Sequence, residues 1–87
     1  MDLLTNFQNV AIAVKKVKTK PSDQELLYLY GLYKQATVGN NMTDKPWLLD
    51  FEKLAKWGAW MKFYNLSTED AQKKYIDAAY LVINKYS

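Results

Sequence analysis

The chain of 87 residues contains no cysteine, no histidine and no arginine, and only 2 prolines and 3 glycines interrupt it. Without cysteine, neither a disulfide nor a thiolate-bound metal can staple the fold. Without histidine, the commonest general acid–base group and the commonest metal ligand are missing together. Without arginine, there is no bidentate fork for guanine edges or phosphates. The net charge of +3 is therefore carried by lysine alone. A mobile point charge of this kind suits a small phosphorylated ligand better than sequence-specific reading of DNA. Its plainer meaning is a solubilising surface. No apolar run approaches the ~20 residues needed to span a bilayer. Met1-Asp2-Leu3-Leu4 has no basic region ahead of a hydrophobic stretch, so a signal peptide is not expected and a cytoplasmic protein is.

What remains is a short chain with an aromatic content of 15%. A domain of this size buries only roughly 60% of its unfolded surface, so large rings must supply much of the core. Apolar residues at Leu3, Phe7, Val10, Val14 and Val17 recur at the helical period. Pro21 disfavours helical geometry at Lys20, which predicts an end to the first helix near Lys16. Ser22-Asp23-Gln24-Glu25 matches the S-x-x-E box that opens helices. The second helix then carries Leu26, Leu27, Leu29, Tyr30 and Tyr33 and stops around Val38-Gly39. The polar segment from Asn40 to Pro46 is a loop. A third helix is expected from about Leu49-Asp50 to Met61, with Trp57 and Trp60 in the core. Gly58 inside it costs about 1 kcal/mol relative to alanine. A fourth runs from about Thr68 to Lys85 behind an N-cap at Ser67 and buries Ala71, Tyr75, Ala78, Ala79, Val82 and Ile83. Nothing reads as a strand or a repeat. The expected architecture is all-α, four helices in one domain over residues 1–87.

On a helix, Tyr30, Tyr33 and Lys34 stand at i, i+3 and i+4 and project from one face. Two phenols flanking an ammonium suit a ligand that is flat at one point and anionic at another, as a nucleotide is. Taken alone, such tyrosines more often pack half-buried, and Lys34 and Lys56 read as solvated lysines. Catalysis is not expected. Asp50 with Glu52, and Glu69 with Asp70, have no partner in a recognisable motif, and acids in a first turn serve the helix dipole. No metal and no cofactor is implied.

The run from Tyr30 through Gly31, Leu32, Tyr33, Lys34, Gln35, Ala36, Thr37 and Val38 to Gly39 resembles the signature of the acyl-CoA-binding proteins. Further matches lie in register along nearly the whole chain. They are Lys18-Thr19-Lys20-Pro21-Ser22-Asp23, Leu49-Asp50-Phe51, Ala55-Lys56-Trp57-x-Ala59-Trp60, Ser67-x-Glu69-Asp70-Ala71 and Tyr75-Ile76. The resemblance implies an up-down-down-up four-helix bundle whose bowl holds a long-chain fatty acyl-CoA ester, with the acyl chain buried and the CoA head closing the opening. It implies that Tyr33 packs on the adenine and that Tyr30, Lys34 and Lys56 contact the 3′-phosphate. Tyr75 would reach the ribose-phosphate region, and Ala11 and Lys15 would flank the adenine. Departures are also visible. Leu54 stands where the family commonly has lysine, Gly58 where it has aspartate, and Tyr64-Asn65-Leu66 replaces a charged, glycine-containing turn. Trp47 is bulky at a position the family usually keeps small, where it would cover or narrow the acyl end.

The function implied is non-catalytic binding, buffering and transport of acyl-CoA by a monomer, with no nucleic acid and no integral membrane segment. Two alternatives come from composition. An isoelectric point of about 9.1 with interleaved aromatics fits a small helical nucleic-acid-binding domain, although no helix carries a dense basic stripe. A helical protein-interaction module is the other.

Overall fold

Every helix begins at a side chain that takes up a free N–H of the first turn. Asp2 accepts from Thr5 N at 2.8 Å, Ser22 from Glu25 N at 3.1 Å, Asp50 from Lys53 N at 3.4 Å and Ser67 from Asp70 N at 3.0 Å. Glu25 completes the capping box by accepting from Ser22 N at 2.9 Å. The computed structural model describes residues 2–87. Behind these caps it places α1 (Leu3–Val14), α2 (Asp23–Thr37), α3 (Phe51–Met61) and α4 (Thr68–Tyr86), with no strand among the described residues. α1 stops two residues before Lys16, because Lys15 N and Lys16 N turn back onto Ile12 O and Ala13 O at 3.3 and 3.0 Å. These tighter bonds close the helix. α2 ends at Thr37, and Gly39, just past its cap at Val38, has a φ of 97°, the left-handed geometry that glycine adopts freely.

The course of the chain follows from which ends meet. Lys18 N and Thr19 N donate to Tyr86 O at 3.1 and 3.4 Å, so the C-terminal ends of α1 and α4 lie together and the two run parallel. Gln35, near the end of α2, donates to Leu66 O just before α4 at 2.8 Å. Glu25, at the start of α2, bonds the Tyr86 hydroxyl at the end of α4. α2 therefore runs against α4. Tyr30 meets Lys56 and Lys34 meets Trp60, so α3 runs with α2. The result is the up-down-down-up bundle. Because α2 and α3 are parallel, the chain needs the long crossing of residues 38–50 between them.

α4 packs against α1 and α2, and α3 packs against α2, whereas the backbones of α1 and α2 stay apart and their side chains meet at Phe7 and Tyr33. Principal extents of 38 × 29 × 14 Å make the molecule a shallow plate, so the gap between α1 and α2 stays open on one side. Phe7, Val10, Leu32, Tyr75, Ile76 and Ala79 form the centre of the core. Ala78 and Ile83 are only partly buried. Trp60 is buried as expected, but Trp57 is half-buried. Its indole N–H is drawn to Thr43 O at 3.1 Å and holds the crossing loop instead of filling the core. Trp47 is 71% exposed and covers nothing.

The corner before α4 is held by side-chain amides, while Phe63 and Leu66 pack on the core. Asn65 has φ 72°, a conformation asparagine tolerates better than most residues. Asn40 Oδ1 accepts from Asn65 N at 2.6 Å and from Gln35 Nε2 at 2.9 Å, tying this corner to α2.

The clamp at the other end is acidic. The Tyr86 hydroxyl, then the Ser22 backbone and side chain, hold the Glu25 carboxyl down from 4.5 to about 2. A carboxyl with a depressed folded-state pKa contributes stability that is fully present above the unfolded value and is lost as pH falls through the folded one. Melting temperature should therefore fall between pH 4.5 and about 2, and Glu25→Gln should flatten that part of the profile. An unchanged profile in the variant would remove Glu25 from the account of acid sensitivity.

Candidate functional site

α1, α2 and α4 each contribute one ring to a cluster at the centre of the plate. Phe7 stacks on Tyr33 with centroids 5.6 Å apart, and Tyr75 meets Phe7 and Tyr33 edge-on at 5.1 and 5.8 Å. Edge-to-face and offset contacts of this kind hold aromatic rings in fixed orientations. Tyr75 is 3% exposed while Tyr33 is 40% exposed, so the cluster is anchored on one side and open on the other. Burial, with a smaller push from Tyr33, raises the Tyr75 phenol to about 12. Its hydroxyl is a proton donor across the physiological range.

The open side of Tyr33 faces the gap between α1 and α2. A cavity of about 680 Å³ fills that gap, lined by Val14, Lys15, Val17, Lys20, Pro21, Leu26, Leu29, Tyr30, Tyr33, Lys34 and Tyr75. A second cavity of about 620 Å³ adjoins it between the first turns of α2 and α3, lined by Lys20, Asp23, Leu26, Leu27, Tyr30, Phe51, Glu52, Ala55 and Lys56. Lys20, Leu26 and Tyr30 line both, so the two form one bowl. Both lie within the size range of small-molecule sites.

Two lysines of the bowl, Lys34 and Lys56, rest on aromatic rings. Lys34 Nζ sits 4.9 Å above the Trp60 ring and Lys56 Nζ sits 5.6 Å from the Tyr30 centroid. Cation–π contact steadies an ammonium without using all of its hydrogen-bond donors. Lys56 is also 3.2 Å from Glu52, an exposed ion pair of little strength. Trp60 is itself fixed by donating to Gly39 O at 2.8 Å. α3 thus brings Lys56 beside Tyr30 through side chains rooted in α2 and in the crossing loop.

Of the candidate residues, Lys15, Tyr30, Tyr33, Lys34 and Tyr75 line the first cavity, and Lys56 lines the second. Ala11 lines neither and is buried in the core at 7% exposure. Trp47 lines neither as well, so it does not narrow the bowl. Sequence reasoning passed over Lys20, Val17 and Pro21 as wall residues. Their signal is weak, because they belong to the connection after α1, where Val17 reads as a core position of the first helix and Pro21 as its terminator. Among the described residues, no group of His, Cys, Asp and Glu could hold a metal ion. No helix of the described residues is long and apolar enough to cross a membrane.

Residues 5–79 match the family described as acyl CoA binding protein. The chain is 48% identical over 81 residues to acyl-CoA-binding protein homolog 1 of Caenorhabditis elegans, covering 93% of this chain and 94% of that one. It is 49% identical over 81 residues to acyl-CoA-binding protein 2 of Saccharomyces pastorianus, covering 93% of each. Among solved structures, acyl-CoA-binding protein 2 of Oryza sativa superposes with a TM-score of 0.91 at 33% identity, over 97% of this chain and 93% of that one. The acyl-CoA-binding protein structure from Moniliophthora perniciosa superposes with a TM-score of 0.89 at 33% identity, over 100% of this chain and 85% of that one.

Proposed function

The chain belongs to the acyl-CoA-binding protein family, and from that premise we propose that it binds, buffers and transports long-chain fatty acyl-CoA esters without turning them over. One observation carries this reading. The bowl is aromatic and cationic at Lys15, Tyr33 and Lys34, and apolar along Val17, Leu26 and Leu27. A ligand with a nucleotide at one end and a hydrocarbon at the other matches both.

In this proposal Tyr33 offers its open face to the adenine. Lys15 approaches from the end of α1, while Ala11, buried and outside both cavities, makes no contact with the ring. Tyr30, Lys34 and Lys56 converge on the 3′-phosphate through charge-assisted hydrogen bonds. Tyr75, kept protonated by burial, donates toward the ribose-phosphate. The acyl chain lies along Leu26 and Leu27, and taking it out of water contributes about 0.8 kcal/mol per methylene. The head group sets orientation and closes the mouth. Nothing in this scheme needs a nucleophile or a proton shuttle, and the chain has neither histidine nor cysteine to supply one. The same reading makes the chain one acyl-CoA-binding domain over residues 1–87, working as a cytoplasmic monomer in fatty acid metabolism.

Titration calorimetry tests the reading. Palmitoyl-CoA should bind far more tightly than palmitate or free CoA, because only the ester engages both ends of the bowl. Equal affinity for palmitoyl-CoA and palmitate would sink it. Native mass spectrometry of protein isolated from cells should show a co-purifying mass equal to an acyl-CoA.

A further inference from the structure

A third hollow of about 490 Å³ lies along α2 and α3, lined among others by Leu27, Leu54, Ala55, Gly58 and Phe63. It shares Leu27 and Ala55 with the bowl. These two residues lie one helical turn before Gly31 and Ala59, where the backbones of α2 and α3 leave no room for a Cβ. Only one leucine side chain and one methyl group, the Leu27–Ala55 pair, stand between the two hollows, and this shallow saddle is the cleft that joins the bowl to the outer hollow. Beyond the cleft, Gly58 has no neighbour within 4 Å of the position a Cβ would take. The outer hollow is open at the place a side chain would otherwise fill.

We propose that this cleft is an exit for the acyl chain, and that the methyl end of a longer chain passes between Leu27 and Ala55 to lie against Leu54, Gly58 and Phe63. The inference rests on the acyl-CoA reading of the bowl and extends it to the class of ester accepted. Continuity selects the occupant: a flexible hydrocarbon already lying along Leu27 reaches the outer hollow without leaving apolar contact. Leu54 and Gly58 then become the residues that set chain-length preference.

The test is an affinity series with dodecanoyl-, palmitoyl- and eicosanoyl-CoA on three proteins. For a fully buried methylene, affinity rises about 4-fold, the equivalent of about 0.8 kcal/mol. In this open hollow, the wild type should still gain about tenfold overall from palmitoyl- to eicosanoyl-CoA. Gly58→Phe should bind dodecanoyl-CoA like wild type and lose that gain. Leu54→Lys, which places a charge in the same hollow, should do likewise by a different route. Methyl resonances of Leu54 and Ala59 should shift with eicosanoyl-CoA and stay still with dodecanoyl-CoA. A wild-type plateau at palmitoyl-CoA, or variants that weaken all three esters alike, would overturn the exit. Absence of binding for every ester would overturn the acyl-CoA reading as well.

Discussion

Gly31→Ala should lower the melting temperature by ~10 °C or more, although alanine is the better helix former. A Cβ at this position would lie 2.2 Å from Ala59 O and 2.7 Å from Ala59 C, both backbone atoms of α3. Backbone cannot rotate away as a side chain can, so one helix must move. α2 is the one helix α3 packs on, and the methyl group would push it off that seat and strain its bonds to the crossing loop. Overpacking of this kind costs ~1–3 kcal/mol and occasionally more, against a propensity gain of about 1 kcal/mol. A contact this short belongs at the upper end. Roughly 4–8 °C is lost per kcal/mol in a domain of this size. The same displacement carries Lys56 away from Tyr30, so affinity for acyl-CoA should fall together with stability. A variant as stable as wild type would mean that α3 is not seated on Gly31.

Gly31 also marks the limit of what the sequence discloses. The helices were legible because their signals are local. The Ser22 box, the Ser67 cap and the stop at Gly39 each act within four residues. The face carrying Tyr30, Tyr33 and Lys34 was legible for the same reason. Which partner each residue meets was not, because that depends on how helices cross. Gly31 reads as an ordinary helix glycine until α3 is laid against it. Trp57 and Trp60 share a spacing that suggests one fate, yet one ring is buried while the other holds the crossing loop through Thr43. Lys34 and Lys56 look like solvated lysines until the rings of Trp60 and Tyr30 appear beneath them. The family resemblance supplied the expectation that Tyr30, Lys34 and Lys56 converge on one phosphate, which no periodicity within the chain encodes.

That convergence gives the sharpest prediction about the head group. Removing the 3′-phosphate from the ligand should cost the wild-type protein at least about tenfold in affinity, or ~1.4 kcal/mol. Charge-assisted hydrogen bonds contribute about 1.5–3 kcal/mol apiece, so three converging donors leave ample margin for screening by solvent. Lys34→Met and Lys56→Met should each lose much of the discrimination between acyl-CoA and its 3′-dephospho form. The protein and ligand changes would then be non-additive, as expected for groups in direct contact. Raising salt should weaken wild-type binding more than binding by either variant, because partly exposed phosphate contacts are screened. Tyr33→Ala should behave differently and weaken both ligands alike, since it removes a stacking face and leaves the phosphate alone. The separation is possible because Lys34 rests on Trp60 and Lys56 on Tyr30, so that neither lysine depends on the Tyr33 ring for its position. Equal binding of the two ligands by wild type would show that Tyr30, Lys34 and Lys56 hold no phosphate, even if the bowl still holds the acyl chain.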